Sequence, residues 1–452
     1  MPDAAPTLNA DATDALAAWA ARTEAEADDP FRAAQRIARR LGAHPTDDGS
    51  ADDAAAFGFW APELDDDGAV PDSAVLEVFA PPPGLDLAAA EQQVTFARHA
   101  IPLRKQGVFL WGVVDGLAAG TREAVGPFYQ VKYQTTDGAW HAIPDYLAYS
   151  VPFGAFAPAE LYDMDRLQRE RADRGYFAAL STETQKNGRP HLGPPAHILQ
   201  IHPATATEDS TIAGLTRMYR RIAEKIEAGV SLSPAEQNYI GYEAIQLMPI
   251  EPTIEHEAGP AFFQPALAQS APEAPEPGPI EVTLRTPDIT NWGYDILIAG
   301  SGAVNPSILE TRRPDELADF AATLHNFPTG PIKLIFDVVF GHTDNQATEI
   351  LNDDFLAGPG MYGMNMAFRH PVTRAVMLEM QRRKGNLGAD GIRVDGAQDF
   401  KVWDPETEQL YYDDAYLQEM SDVVQTTAGV DYYPWMIFED GRPWPQDDWE
   451  LS

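Results

Sequence analysis

Gly391-Ile392-Arg393-Val394-Asp395 decides the fold; it follows Asn386-Leu387-Gly388-Ala389-Asp390 and leads into Gly396-Ala397-Gln398-Asp399-Phe400. Upstream, residues 371–384 read as a helix, with Val372, Val376 and Met380 four apart and Gly385-Asn386 as the stop. The run after that stop is a short buried strand. Side chains alternate along a strand, so Arg393 and Asp395 share one face and Ile392 and Val394 the other. A guanidinium and a carboxylate therefore point together near the strand's C-terminal end, where parallel α/β folds place their chemistry. Taken alone, the pair also fits a buried structural ion pair.

Its neighbours change that reading. Lys333-Leu334-Ile335-Phe336-Asp337-Val338-Val339-Phe340-Gly341-His342 is a second apolar run that ends in polar groups, and Trp435-Met436-Ile437-Phe438-Glu439 is a third. Three strands separated by helix-bearing segments, each delivering a carboxylate near its end, describe consecutive βα units of a barrel. Asp337, Asp395 and Glu439 are expected to converge.

This ordered set resembles the α-amylase family, glycoside hydrolase family 13. The run 337–342 looks like its first conserved region, 391–395 its second and Glu439 its third. Gly341 stands where the family usually has Asn, and the fourth region, a His-Asp pair, is absent after Glu439. Asn291-Trp292-Gly293-Tyr294-Asp295 is similar to the element in which a tyrosine stacks on the sugar, which assigns Tyr294 to substrate binding; a packed loop aromatic is the competing reading. Phe57-Gly58-Phe59-Trp60-Ala61-Pro62, followed by Tyr129, Val131, Tyr133 and Asp145, resembles the domain that precedes the barrel in branching and debranching members.

The resemblance implies a retaining α-glucoside-active enzyme, hydrolase or transglycosidase. The alternative is a non-catalytic glucan-binding or regulatory relative. Retention needs a nucleophilic carboxylate and a protonated acid about 5 to 5.5 Å apart. Asp395 is the expected nucleophile, held ionised by Arg393, and Glu439 the general acid/base, with its pKa raised by desolvation. His342 would donate to a ring hydroxyl, while Asp337 would orient its neighbours. The short segment after His342 and the missing Asn argue against a structural calcium, so no cofactor is expected.

Composition bounds the rest. Acidic residues outnumber basic ones 69 to 32, for a net charge of −37, which argues against nucleic acid or anionic membrane as partner. With 7 lysines against 25 arginines, the surface resembles that of proteins from salt-tolerant organisms. There is no cysteine, hence no disulfide or thiol chemistry. Met1-Pro2-Asp3-Ala4-Ala5 lacks a basic patch and a following apolar run, and no stretch approaches the roughly 20 apolar residues of a membrane span; the expectation is a cytoplasmic protein.

In chain order, residues 1–45 read as an acidic helical extension, solvated or partner-binding, with a helix opening at Pro30. Residues 46–154 read as a β-sandwich, with strands near 75–79, 108–114 and 128–133. Residues 155–195 are a helical linker, and 196–452 the barrel, interrupted at 251–287 by an insertion whose proline-rich acidic stretch 269–279 is expected to be extended and mobile. His197 and His202 are strand residues without a third metal ligand nearby. Only five barrel strands are expected: 196–202, 242–250, 333–340, 391–395 and 435–438. A second chain or a C-terminal segment is therefore expected to complete the (β/α)8 barrel.

Overall fold

The Asp395 run is the fourth strand of a five-stranded, all-parallel sheet whose order follows the chain: Ile198–Ile201, Ala244–Leu247, Lys333–Val339, Gly391–Asp395 and Trp435–Phe438. The computed structural model describes residues 5–46, 53–65, 68–256, 264–265 and 274–441. Successive strands are joined through the helices Ile212–Glu227, Asp315–His325, Pro371–Gly385 and Asp414–Ser421. Leu334, Phe336 and Val338 on one face of the central strand and Ile335 and Val339 on the other are all buried, as in a parallel sheet covered on both sides.

Local sequence explains the helices. The Thr211 hydroxyl accepts from Gly214 N–H and starts the first, whose Ile212, Leu215, Tyr219 and Ile222 form a fully buried stripe. Tyr219 meets Phe320 of the Asp315–His325 helix edge-on at 5.9 Å, and Leu317, Phe320, Ala321 and Leu324 are the inner face of that helix. Pro371 occupies the first turn of the helix before the Asp395 strand, where its missing N–H costs nothing.

Ahead of the parallel sheet lie two antiparallel ones. The first runs Thr7–Leu8, Phe109–Asp115, Ala54–Trp60, Gly42–Thr46, and the second carries Phe128–Gln134, Val75–Ala80 and Glu91–Pro102 side by side. Phe57 of the first meets Tyr129 of the second at 5.2 Å, and both rings are buried. The fold is mixed α/β.

Two expectations need correction. The N-terminal helices, Ala10–Ala25 and Pro30–Ala38, are not a solvated extension. Ala33, Ala34, Ile37 and Ala38 are buried, since alanines make a flat face that lets a second helix approach, here Pro371–Gly385. Arg383 of that helix is buried and donates to the carbonyls of Leu41 and Leu147, each at 2.5 Å. The insertion 251–287 also contains a strand that was not expected. Gly278–Arg285 is an edge-on addition to the second antiparallel sheet, paired along its length with Glu91–Pro102. Val282 and Leu284 pack with Phe96 and Phe128, an alternation that the flanking prolines masked. Residues 257–263 and 266–273, with the first half of the proline-rich run, lie outside the described residues.

Candidate active site

Parallel pairing sets the site's geometry before any side chain is considered. Asp337 stands in register with Arg393, and Phe438 with Val394, so Glu439 comes level with Asp395 on the adjacent strand. The Glu439 N–H donates to the Val394 carbonyl at 3.0 Å and Ala397 N–H to the Glu439 carbonyl at 2.8 Å, which extends the pairing past the strand ends. Gly396, with a φ of +63°, turns the chain there and lends its N–H to the Glu439 carboxylate at 3.2 Å.

Arg393 is the hub. Its Nη1 donates to both oxygens of Asp337, at 2.6 and 2.8 Å, and to Asp395 Oδ1 at 2.7 Å, while its Nη2 lies 2.8 Å from Glu439 Oε2. The Tyr294 hydroxyl donates to Asp337 Oδ2 at 3.0 Å, and the Gln246 amide donates to the same oxygen at 3.2 Å. The five expected residues Tyr294, Asp337, Arg393, Asp395 and Glu439 are thus one connected cluster. The structural ion pair is present too: Arg393 serves both as scaffold and as electrostatic centre.

One guanidinium shared among three carboxylates leaves their charge only partly compensated. Burial pushes Asp395 up to about 7 against the pull of Arg393, and its hydrogen bond with Glu439 adds to the rise. Glu439, whose side chain is 51 % exposed, is held below the usual range by that same bond, by Gly396 N–H and by Arg393, which together outweigh its modest desolvation. Burial also raises Asp337. The directions of these two shifts run against the expected division, an ionised Asp395 and a protonated Glu439. The pull of Arg393 is divided among three acids, and desolvation falls harder on the deeper one. The hydrogen-bonded carboxyls are also closer than the roughly 5 to 5.5 Å separation of a retaining pair.

His342 is the expected residue that stays apart from this cluster. It lines a neighbouring cleft of about 450 Å3 with Tyr362, Gln398, Asp399 and Lys401, and its ring lies 5.3 Å from that of Tyr362. Burial lowers its pKa, so the ring is neutral and can donate from one nitrogen. Gly341 has a steric explanation: a Cβ there would stand 3.0 Å from Asp399 Cβ. Asp399 occupies the space that an asparagine side chain would need. Among the described residues, no group of three or more His, Asp or Glu is arranged to hold a metal ion.

Two residues escaped the sequence reading. Gln246 is the polar interruption of the otherwise apolar Ala244–Leu247 strand, and that interruption was the available signal. Trp292 is 57 % exposed, lies 4.7 Å from Tyr294, and is pinned by its indole N–H to Asp295 at 3.2 Å. It forms an apolar rim beside the carboxylates.

The profile of the hypothetical glycoside hydrolase 5 family matches residues 15–452. The chain belongs to that family. Similar solved structures include a pullulanase variant from Paenibacillus barengoltzii complexed with maltotriose, at 16 % identity and a TM-score of 0.52, covering 88 % of this chain and 51 % of that one. Another is the pullulanase from Anoxybacillus sp. LM18-11 with maltotriose, at 14 % identity, a TM-score of 0.51 and coverages of 85 % and 46 %. The pullulanase from Bacillus acidopullulyticus follows at 15 %, 0.51, 89 % and 42 %. The family member thus shares the fold of these enzymes and spans about half their length. No curated protein matches it in sequence. No helix among the described residues is long and apolar enough to cross a membrane.

Proposed function

We propose that this glycoside hydrolase family member acts on α-glucosidic bonds with retention, through Asp395 as nucleophile and Glu439 as general acid/base. The observation that carries the reading is the gathering of Asp337, Asp395 and Glu439 around one guanidinium at the ends of three adjacent parallel strands. Glucan recognition by the pullulanases, two of them complexed with maltotriose, supports α-glucan as the substrate class. Hydrolysis and glucosyl transfer use the same first half-reaction.

In that half-reaction Asp395 attacks the anomeric carbon while Glu439 protonates the departing glycosidic oxygen, leaving a glycosyl ester on Asp395. Glu439, now a base, takes a proton from the water or hydroxyl that displaces the ester. The resting proton lies on Asp395, so it must first pass along the hydrogen bond to Glu439. A sugar covering the half-exposed Glu439 desolvates it and raises its pKa, while substrate wedged between the carboxyls separates them. Tyr294 and Trp292 offer aromatic faces to the ring, the buried Asp337 orients Arg393 and Tyr294, and His342 would donate to a hydroxyl from the neighbouring cleft.

In domain terms we propose the two antiparallel sheets as a positioning β-sandwich and 196–452 as the first five units of a (β/α)8 barrel. The outer strands Ile198–Ile201 and Trp435–Phe438 each have a single sheet neighbour. Three further units, from a C-terminal continuation or a second chain, would close the sheet and remove both edges. The test is turnover on α-glucans with product anomers followed by NMR. Asp395→Asn should abolish turnover, Glu439→Gln should cost roughly 10²- to 10⁴-fold, and the first-formed product should keep the α configuration. Full activity of either variant would refute the assignment.

A further inference from the structure

Beyond the carboxylates, the chain leaves the Asp395 strand through Gln398 and Asp399 and makes a two-stranded hairpin, Lys401–Asp404 against Gln409–Tyr412. The register pairs Trp403 with Leu410 and Val402 with Tyr411. Residues opposite one another share a face, so Trp403 and Leu410 lie on one side together with Lys401 and Tyr412. Val402, on the other side, packs against the main core. The outer side is left with Trp403 59 % and Leu410 47 % exposed.

Apolar side chains on the solvent face of an isolated hairpin do nothing for its folding, and large contiguous ones mark binding surfaces. The surroundings specify a ligand. Trp403 and Tyr412 of this side, with Val402 and Tyr411 of the other, line a cleft of about 410 Å3 together with Asp413 and with Arg369, which is exposed and makes no ion pair among the described residues. Aromatic faces next to a planar fork of N–H donors suit a pyranose, whose C–H face is apolar and whose rim carries hydroxyls. The volume is that of a small-ligand site. The Trp403 face is also continuous with the candidate active site, because Lys401 on that same face lines the cleft of His342.

We propose that this hairpin is a second α-glucan contact that holds the chain of a long substrate leaving the active-site cleft, with Trp403 as its platform and Arg369 as its hydrogen-bond donor. The proposal rests on the α-glucan reading above and deepens it: the preferred substrate is a polymer or long oligosaccharide, not a disaccharide.

The experiment titrates maltotriose and maltoheptaose into the full protein by calorimetry, for wild type, Trp403→Ala and Trp403→Phe. Trp403→Ala should weaken maltoheptaose binding about tenfold, the worth of one aromatic contact, and change maltotriose binding by less than about twofold. Trp403→Phe should keep most of the affinity. Unchanged maltoheptaose binding in Trp403→Ala, an equal loss for both sugars, or a wild type that binds no maltoheptaose would overturn the proposal. Absence of glucan cleavage by the wild type would instead refute the catalytic assignment, and the titration would still decide the hairpin.

Discussion

Replacing Asp395 by Asn should stabilise the fold above neutral pH while it destroys activity. The sign follows from the raised pKa. An acid whose folded-state pKa lies above its unfolded value near 3.8 stabilises the folded state when protonated, and that contribution is lost as pH climbs from about 4 through about 7. A shift of about three pKa units corresponds to about 4 kcal/mol for forcing the charge into the site. Glu439 shifts the other way and offsets part of this, so the gain for the neutral isostere at pH 8 should be positive and fall short of about 4 kcal/mol. Urea unfolding of wild type and Asp395→Asn at pH 4.5 and pH 8 measures it. The two proteins should unfold together at the lower pH, with the variant ahead at the higher. Had Arg393 held Asp395 ionised, the variant would instead lose a charge-assisted bond and be the weaker protein at pH 8. That result would refute the proton placement.

The same placement sets activity: the one proton shared by Asp395 and Glu439 is the proton Glu439 must donate, so kcat/KM on an α-glucan should fall as pH rises above about 7 and that proton is lost, and a profile flat to pH 9 would contradict it. His325 lies fully buried between Asp173 at 2.8 Å and Asp390 at 2.9 Å, both of which raise its pKa against burial. Arg171 still pairs with Asp173, and Tyr176 and the Leu334 N–H still serve Asp390, so His325→Leu should cost about 3 kcal/mol in urea unfolding, the low end for a broken buried pair. Because the folded pKa is raised, the histidine's contribution is complete below about 6.5 and fades as pH rises through the folded value; the variant's deficit should therefore shrink in alkali. A deficit that grows with pH would reverse this account. With a net charge of −37, the melting temperature should rise from dilute buffer to molar potassium chloride as self-repulsion is screened, and a falling curve would count against that reading.

The sequence by itself determined the secondary structure that carries the site. Periodicity located the Asp337, Asp395 and Glu439 strands within a residue or so, because both faces of a parallel strand are apolar and the polar residue at its end breaks the run. It also placed the Ile212–Glu227 and Asp315–His325 helices, whose stripes repeat at three and four. What depended on distant neighbours was not legible. Gly278–Arg285 is a strand only because Glu91–Pro102, some 180 residues earlier, offers it an edge. The Pro30–Ala38 helix is buried because Pro371–Gly385 covers it, and Ala10–Ala25 because it lies on the Phe109–Asp115 strand. Above all, the tertiary structure decided which carboxyl is desolvated most, and so the direction in which each pKa moves. A carboxylate's charge state depends on how deeply each member of a cluster is buried and on how one guanidinium is shared among three acids, and both are properties of the assembled site.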